Sequence, residues 1–313
     1  MVLNSVISEA SKIIFITGSH RSGTSWVGKM LATGGNFLLR DEEIFNCVSE
    51  IGKSPIQKMY LHISQENEKK YSNYINNALN YDYPFLGSLT QMKKPKDFFR
   101  IAKRKMRSIG RMLRKNDGQI LIEPIGFFSA EWFSKKYHTP VVLVVRHPAS
   151  FVSSLKKLNW GFDFNCLLTQ KELMEYYLKP YESDFSNPPR KPDVIGIGIL
   201  LWKAIYGTAL KLKNQNPDWI FVKLEDLSVD PIPQFQRLFS KLNLPFNSHS
   251  KQTILEYSSP TNPVEFEKGR DHSKRNSRET IGIWKNRLTP DEINRIKKET
   301  NEISSHYYHE QDW

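Results

Sequence analysis

Apolar positions along the chain switch between strand-like runs and helical spacing. Lys12–Thr17 (KIIFIT) is a short β-branched run that ends in Gly18-Ser19-His20-Arg21-Ser22-Gly23. A helical pattern follows through Trp26, Val27, Met30 and Leu31 and stops at Gly34-Gly35. Gln119–Glu123 (QILIE) and Val141–Val145 (VVLVV) read as further strands. The first is followed by a helix around Ser129–Tyr137, the second by Pro148, a residue type favoured at the first position of a helix. A helix over Ile195–Lys213 leads to a strand at Trp219–Leu224, with helices at Pro231–Leu242 and Pro290–Thr300 after it. Strands this uniformly apolar are covered on both faces, and strand–helix alternation implies a parallel sheet. The expected fold class is therefore α/β, a single three-layer α/β/α domain over 1–313. Helical insertions are expected on its substrate side at 52–118 and 158–193. The second is rich in aromatic residues and proline with little periodicity, and reads as a lid.

Composition narrows the setting. A chain of 313 residues, 39% hydrophobic and 25% charged, can bury a large core, so fibrous and wholly disordered readings drop out. Cys47 and Cys166 cannot build a disulfide framework, which points to a reducing compartment. Glu9 interrupts the stretch where a signal peptide would need an apolar run. Val194–Leu212 is the most apolar stretch, but it carries Lys203 and glycines and reads as a buried helix. The expected location is the cytoplasm, or the inner face of the membrane as a peripheral protein.

Charge is concentrated. Between Gln91 and Lys115 eleven Lys and Arg face one acid, Asp97, so this window holds +10 of the chain's net +12. Phe98, Ile101, Ala102, Met106, Ile109, Met112 and Leu113 recur within it at helical spacing, which predicts an amphipathic basic helix over 96–115. A solvated helix packed on the domain is the plain reading; an anionic acceptor or an anionic membrane surface would use the charge. Aromatic residues do not interleave with these charges as a base-stacking platform requires, so nucleic acid is not an expected partner.

Gly18-Ser19-His20-Arg21-Ser22-Gly23-Thr24-Ser25 has the strand–loop–helix setting of a phosphate-binding loop, making the domain P-loop-like. Nucleotide hydrolases place a lysine after the second glycine, to reach the β and γ phosphates. Here Thr24 occupies that position and the cation is Arg21, inside the loop, which suits a ligand with a single phosphate there. A second segment, Arg146-His147-Pro148-Ala149-Ser150-Phe151-Val152-Ser153-Ser154, follows the VVLVV strand. Arginine suits a strand-end anion site because its planar fork binds phosphate bidentately.

Together with Arg21-Ser22-Gly23-Thr24-Ser25-Trp26, this second segment resembles the sulfotransferases that use 3′-phosphoadenosine 5′-phosphosulfate (PAPS). Val222-Lys223-Leu224-Glu225-Asp226-Leu227 and Ser277-Arg278-Glu279-Thr280-Ile281-Gly282-Ile283-Trp284-Lys285 are similar to later segments of that family. The resemblance implies that the first loop holds the 5′-phosphate and sulfuryl group, while Arg146 and Ser154 hold the 3′-phosphate. Arg278 is a third cation for the nucleotide, and Trp26 either lies near the adenine or packs in the core. The implied product is 3′,5′-adenosine bisphosphate, the acceptor a glycan, lipid or small metabolite, and no metal is expected. An ATP-using P-loop kinase and a non-catalytic docking module are the alternatives.

Sulfuryl transfer requires an acceptor hydroxyl or amine to attack sulfur in line, with donors such as Arg21 and the loop N–H groups at the leaving oxygen. A base must take the acceptor's proton. Glu123, ending the QILIE strand, and Glu43, in Glu42-Glu43-Ile44-Phe45-Asn46, are the two candidates. His20 could touch the sulfuryl group, and His147 is expected to orient Arg146. The remaining histidines show no metal-ligand spacing against either cysteine.

Overall fold

The computed structural model describes residues 12–42, 44–46, 54–82, 98–99, 102, 106, 109–111, 113, 115–265, 271 and 273–313. Five parallel strands form one sheet: β1 (Lys12–Gly18), β2 (Phe37–Asp41), β3 (Gly118–Ile122), β4 (Val141–Val145) and β5 (Ile220–Lys223). Their order is β2-β3-β1-β4-β5. The helices that carry the argument are α1 (Thr24–Ala32), α2 (Ser72–Leu79), α3 (Ala130–Tyr137), α4 (Pro148–Lys157) and α5 (Val194–Gln215). They are followed by α6 (Leu224–Val229), α7 (Pro231–Lys241), α8 (Ser248–Ser258), α9 (Ser277–Thr280) and α10 (Pro290–Ser304).

Alternate residues of each central strand feed two cores. Ile14, Ile16, Ile120, Ile122, Val142 and Val144 pack with α1, α7 and α8 on one face. Phe15, Leu121, Val141, Leu143 and Val145 pack with α3, α4 and α5 on the other. Both faces being covered is why these strands read as unbroken apolar runs rather than alternating ones. Helix α5 is long and apolar enough to cross a membrane, but 78% of its apolar window is buried inside the protein, where Trp202, Ile205 and Tyr206 are fully covered. The expected buried helix is what this segment forms.

Two features were not legible in the pattern. The edge strand β2 (FLLRD) carries Arg40 on the covered side, a residue that breaks the apolar pattern. Arg40 is nonetheless 2% exposed, because its guanidinium donates to the Ala78 carbonyl and to Gln119 Oε1. Within 52–118, the described Ile56, Tyr60, Leu61, Ile63 and Ile75 belong to the main core. The aromatic segment after α4 is a chain of short helices, at Asn165–Leu168, Met174–Leu178 and Glu182–Ser186 among others, seated on the core through Phe164, Leu178 and Phe185. None is long enough to display a period.

Candidate active site

Strands β1 and β4 are neighbours whose connections leave in opposite directions, β1 towards β2 and β4 towards β5. A sheet of this kind opens a crevice at the carboxyl ends of such a pair. The loop after β1 and the arginine after β4 both lie there.

Two glycines make the first loop. Gly18 has φ +151°, and a Cβ there would lie 2.5 Å from the Val144 carbonyl oxygen. Gly23, at φ +87°, starts α1, which has neither a side-chain cap nor an acidic residue in its first turn. Helix starts leave N–H groups without intrahelical partners, so this one is a ready anion site. Arg21 also adopts a left-handed conformation, φ +66°, and its side chain is exposed. Ser22 Oγ is buried with no partner.

Three walls hold the loop. Ser19 Oγ bonds the Tyr206 hydroxyl at 2.9 Å, and that hydroxyl donates to the Val144 carbonyl at 3.2 Å. Tyr60 Oη lies 2.7 Å from His20 Nδ1 and accepts from the His20 backbone N–H at 3.2 Å. Burial, with Arg21 beside it, brings the His20 pKa down to about 4, so the imidazole is neutral; its Nε2 has no partner. Thr17 Oγ1 donates to the Glu123 carbonyl at 2.9 Å and ties β1 to the end of β3.

The cations form one cluster instead of two separated pockets. Arg21 Nε donates to Ser154 Oγ at 3.2 Å, and Arg146 Nη1 donates to the Arg21 carbonyl. Arg146 Nε is buried without a partner. Desolvation brings the Arg146 pKa down to about 10 against the attraction of Glu225, and Arg21 adds repulsion. Arg287 repels both Arg21 and Arg146. It adds positive charge near them and is held by Glu265 at 2.5 Å, which also pairs with Lys157. Arg287 carried no motif and was invisible in the sequence. Arg278, expected in this role, instead donates to the Val229 carbonyl at 2.9 Å.

Other expectations are corrected by packing. Trp26 is 8% exposed and meets Phe235 edge-on at 5.1 Å, so it belongs to the core beneath α1. His147 does not bond Arg146. It caps α4 by accepting from the Ala149 N–H at 3.2 Å, and its ring stacks on Trp284 and meets Tyr308 and Trp313 edge-on. Burial lowers its pKa to about 3. The 277–286 segment lies over α4, with Ser150 Oγ donating to the Ile281 carbonyl at 3.1 Å.

The carboxylates separate by environment. Glu123 is fully buried, and its two oxygens accept from the N–H groups of Ile44 (2.8 Å) and Phe45 (3.2 Å). Burial outweighs those bonds and pushes its pKa up to about 8. A carboxyl already engaged at both oxygens is a strut for the 44–46 turn, not a free base. Glu43 lies outside the described residues. Its neighbour Glu42 is exposed, has φ +51°, and is fixed by its N–H donating to the Ile122 carbonyl at 2.8 Å. Partial desolvation by the neighbouring loop and the charge of Asp41 raise the Glu42 pKa even though its side chain reaches solvent, while Arg21 opposes that rise. Among the described residues no three His, Cys, Asp or Glu side chains converge as metal ligands would.

The sulfotransferase domain family matches residues 11–306, nearly the whole chain. The chain belongs to that family. It is an enzyme that transfers a sulfuryl group, and the kinase alternative falls away. Among solved structures, the sulfotransferase domain from the curacin biosynthetic pathway is similar at 15% identity and a TM-score of 0.48, covering 93% of this chain and 97% of that one. A mouse sulfotransferase complexed with PAP is similar at 11% identity and a TM-score of 0.45, covering 95% and 86%. Retinol dehydratase in complex with androsterone and inactive cofactor PAP gives 12% and 0.43, covering 96% and 83%. Among curated proteins no sequence matches this chain at a significant level.

Proposed function

We propose that this sulfotransferase takes its sulfuryl group from PAPS, bound across the β1–β4 crevice, and passes it to a hydroxyl or amine acceptor with Glu42 as general base. The observation that carries this reading is the cluster of Arg21, Ser154 and Arg146 beside an uncapped helix start. The orphaned Ser22 Oγ and Arg146 Nε fit an anionic ligand, since buried polar atoms of this kind ordinarily have partners. The loop N–H groups and Ser22 would hold the 5′-phosphate and sulfuryl oxygens. Arg146, Ser154 and Arg21 would hold the 3′-phosphate, with Arg287 adding positive charge. Bound there, PAPS supplies an activated sulfuryl group on a leaving phosphate. The protein's part is to keep preorganised donors at the oxygen where negative charge grows.

Glu42 sits at the end of β2, on the side of the crevice away from Arg146, and is electrostatically coupled to Arg21. Its exposed carboxylate is free to take the acceptor's proton, unlike that of Glu123. His20, neutral and with Nε2 unpartnered, would donate to or accept from the transferring group.

Isothermal titration tests the donor assignment. Adenosine 3′,5′-bisphosphate should bind without added Mg²⁺, and ATP with Mg²⁺ should bind at least tenfold more weakly, about 1.4 kcal/mol. Preference for the triphosphate would overturn the assignment.

A further inference from the structure

The basic stretch before β3 takes no part in this chemistry, yet the large apolar side chains described in it are exposed. Phe98 is 44% exposed, Phe99 75%, Met106 74%, Ile109 41% and Leu113 75%. Among the described residues these make up most of the exposed large apolar side chains, and they fall in one short stretch. Its described residues, 98–99, 102, 106, 109–111 and 113, are helical. At about 100° per residue, Phe98, Phe99, Ala102, Met106, Ile109 and Leu113 share an arc of about 100°. A stripe of this width ordinarily faces a core; here it faces outward.

We propose that this helix docks the enzyme on an anionic lipid bilayer, seating the apolar stripe among the acyl chains at the interface. Charge complementarity selects the occupant. By sequence the window carries +10, which an anionic lipid surface attracts. A basic helix with Phe and Leu along one side is the pattern of interfacial binding. A soluble polyanion would engage the charges but leave the stripe in water. A second copy of the chain would bring two +10 segments together. This proposal does not depend on the donor or on the identity of the base.

The test is flotation of the full chain with vesicles of phosphatidylcholine alone and of phosphatidylcholine mixed with phosphatidylglycerol, at low and high salt. Binding should be at least about tenfold tighter to the anionic vesicles and should weaken with salt. The double variant Phe99→Ser, Leu113→Ser keeps every charge and should bind at least about tenfold more weakly. Its thermal unfolding midpoint should match that of the parent, since both side chains already lie in solvent. Four results would each overturn the proposal: no vesicle binding, equal binding to neutral vesicles, binding unaffected by the double variant, or capture by heparin alone. A concentration-dependent dimer abolished by the same variant, with no flotation, would point to a second copy as the occupant and overturn it too.

Discussion

Arg21 touches more of the site than its place in the loop suggests. Its guanidinium reaches Ser154 while its carbonyl receives Arg146, so the two strand ends share one cationic cluster. Arg21→Ala and Arg146→Ala should therefore both weaken bisphosphate binding by about ten- to a hundredfold, the usual range for a lost charge-assisted hydrogen bond. The double variant should lose less than the sum, because neighbours in one network do not add. Titration of all three proteins checks this, and strict additivity would mean two independent pockets. Glu42→Gln should lower kcat by about a hundredfold or more and leave bisphosphate affinity unchanged; a loss confined to binding would remove Glu42 from the role of base. Glu123 should act through stability. Its pKa in the fold, about 8, lies above the ordinary carboxyl value of 4.5, so the folded state holds the proton more tightly than the unfolded chain does. The stability this provides is fully present below about pH 4.5 and is lost as pH rises towards 8. Thermal unfolding of the parent should accordingly fall from pH 5 to pH 8 more than that of Glu123→Gln, which carries no titrating proton. Parallel curves would contradict a buried, protonated strut.

At the scale of elements, the loop after β1 is both the most legible feature and the most constrained. Its glycines announced a turn, and the reason lies in contacts the sequence does not display: Gly18 abuts the Val144 carbonyl and Gly23 abuts the Leu224 side chain. Gly18→Ala should cost about 2 kcal/mol or more, through both the clash and the strained φ, and lower the unfolding midpoint accordingly. An unchanged midpoint would mean that β4 yields more readily than packed strands do. The core strands were legible because burial on both faces leaves a continuous apolar run. Strand β2 was not, since Arg40 sits where an apolar residue would mark the pattern, and a buried guanidinium is tolerable only once Ala78 and Gln119 supply its partners. The amphipathic period predicted over 96–115 was readable, but which way the described apolar side chains face is a tertiary fact.

For the whole molecule, the proposed site is assembled from segments far apart in sequence: the loop after β1, the turn after β2, the strand end at Arg146, Ser154 on α4, and Arg287 near the carboxyl end. The sequence revealed those that sit in motifs after predicted strands. It hid Arg287, whose place depends on the 277–286 segment folding back over α4, and it pointed to Glu123 and Glu43 as candidate bases without singling out Glu42. It also suggested that Arg278 faces the nucleotide, whereas its guanidinium turns to the end of α6, and it left Trp26 between the adenine and the core, where it packs on Phe235. The central claim is that one cationic cleft joins the ends of β1 and β4 and grips both phosphates of an adenosine bisphosphate. Titrating the same protein with adenosine 3′,5′-bisphosphate and with adenosine 5′-monophosphate tests it directly. The bisphosphate should bind at least tenfold more tightly, with the difference abolished in Arg146→Ala. Equal affinities for the two nucleotides in the parent enzyme would contradict it.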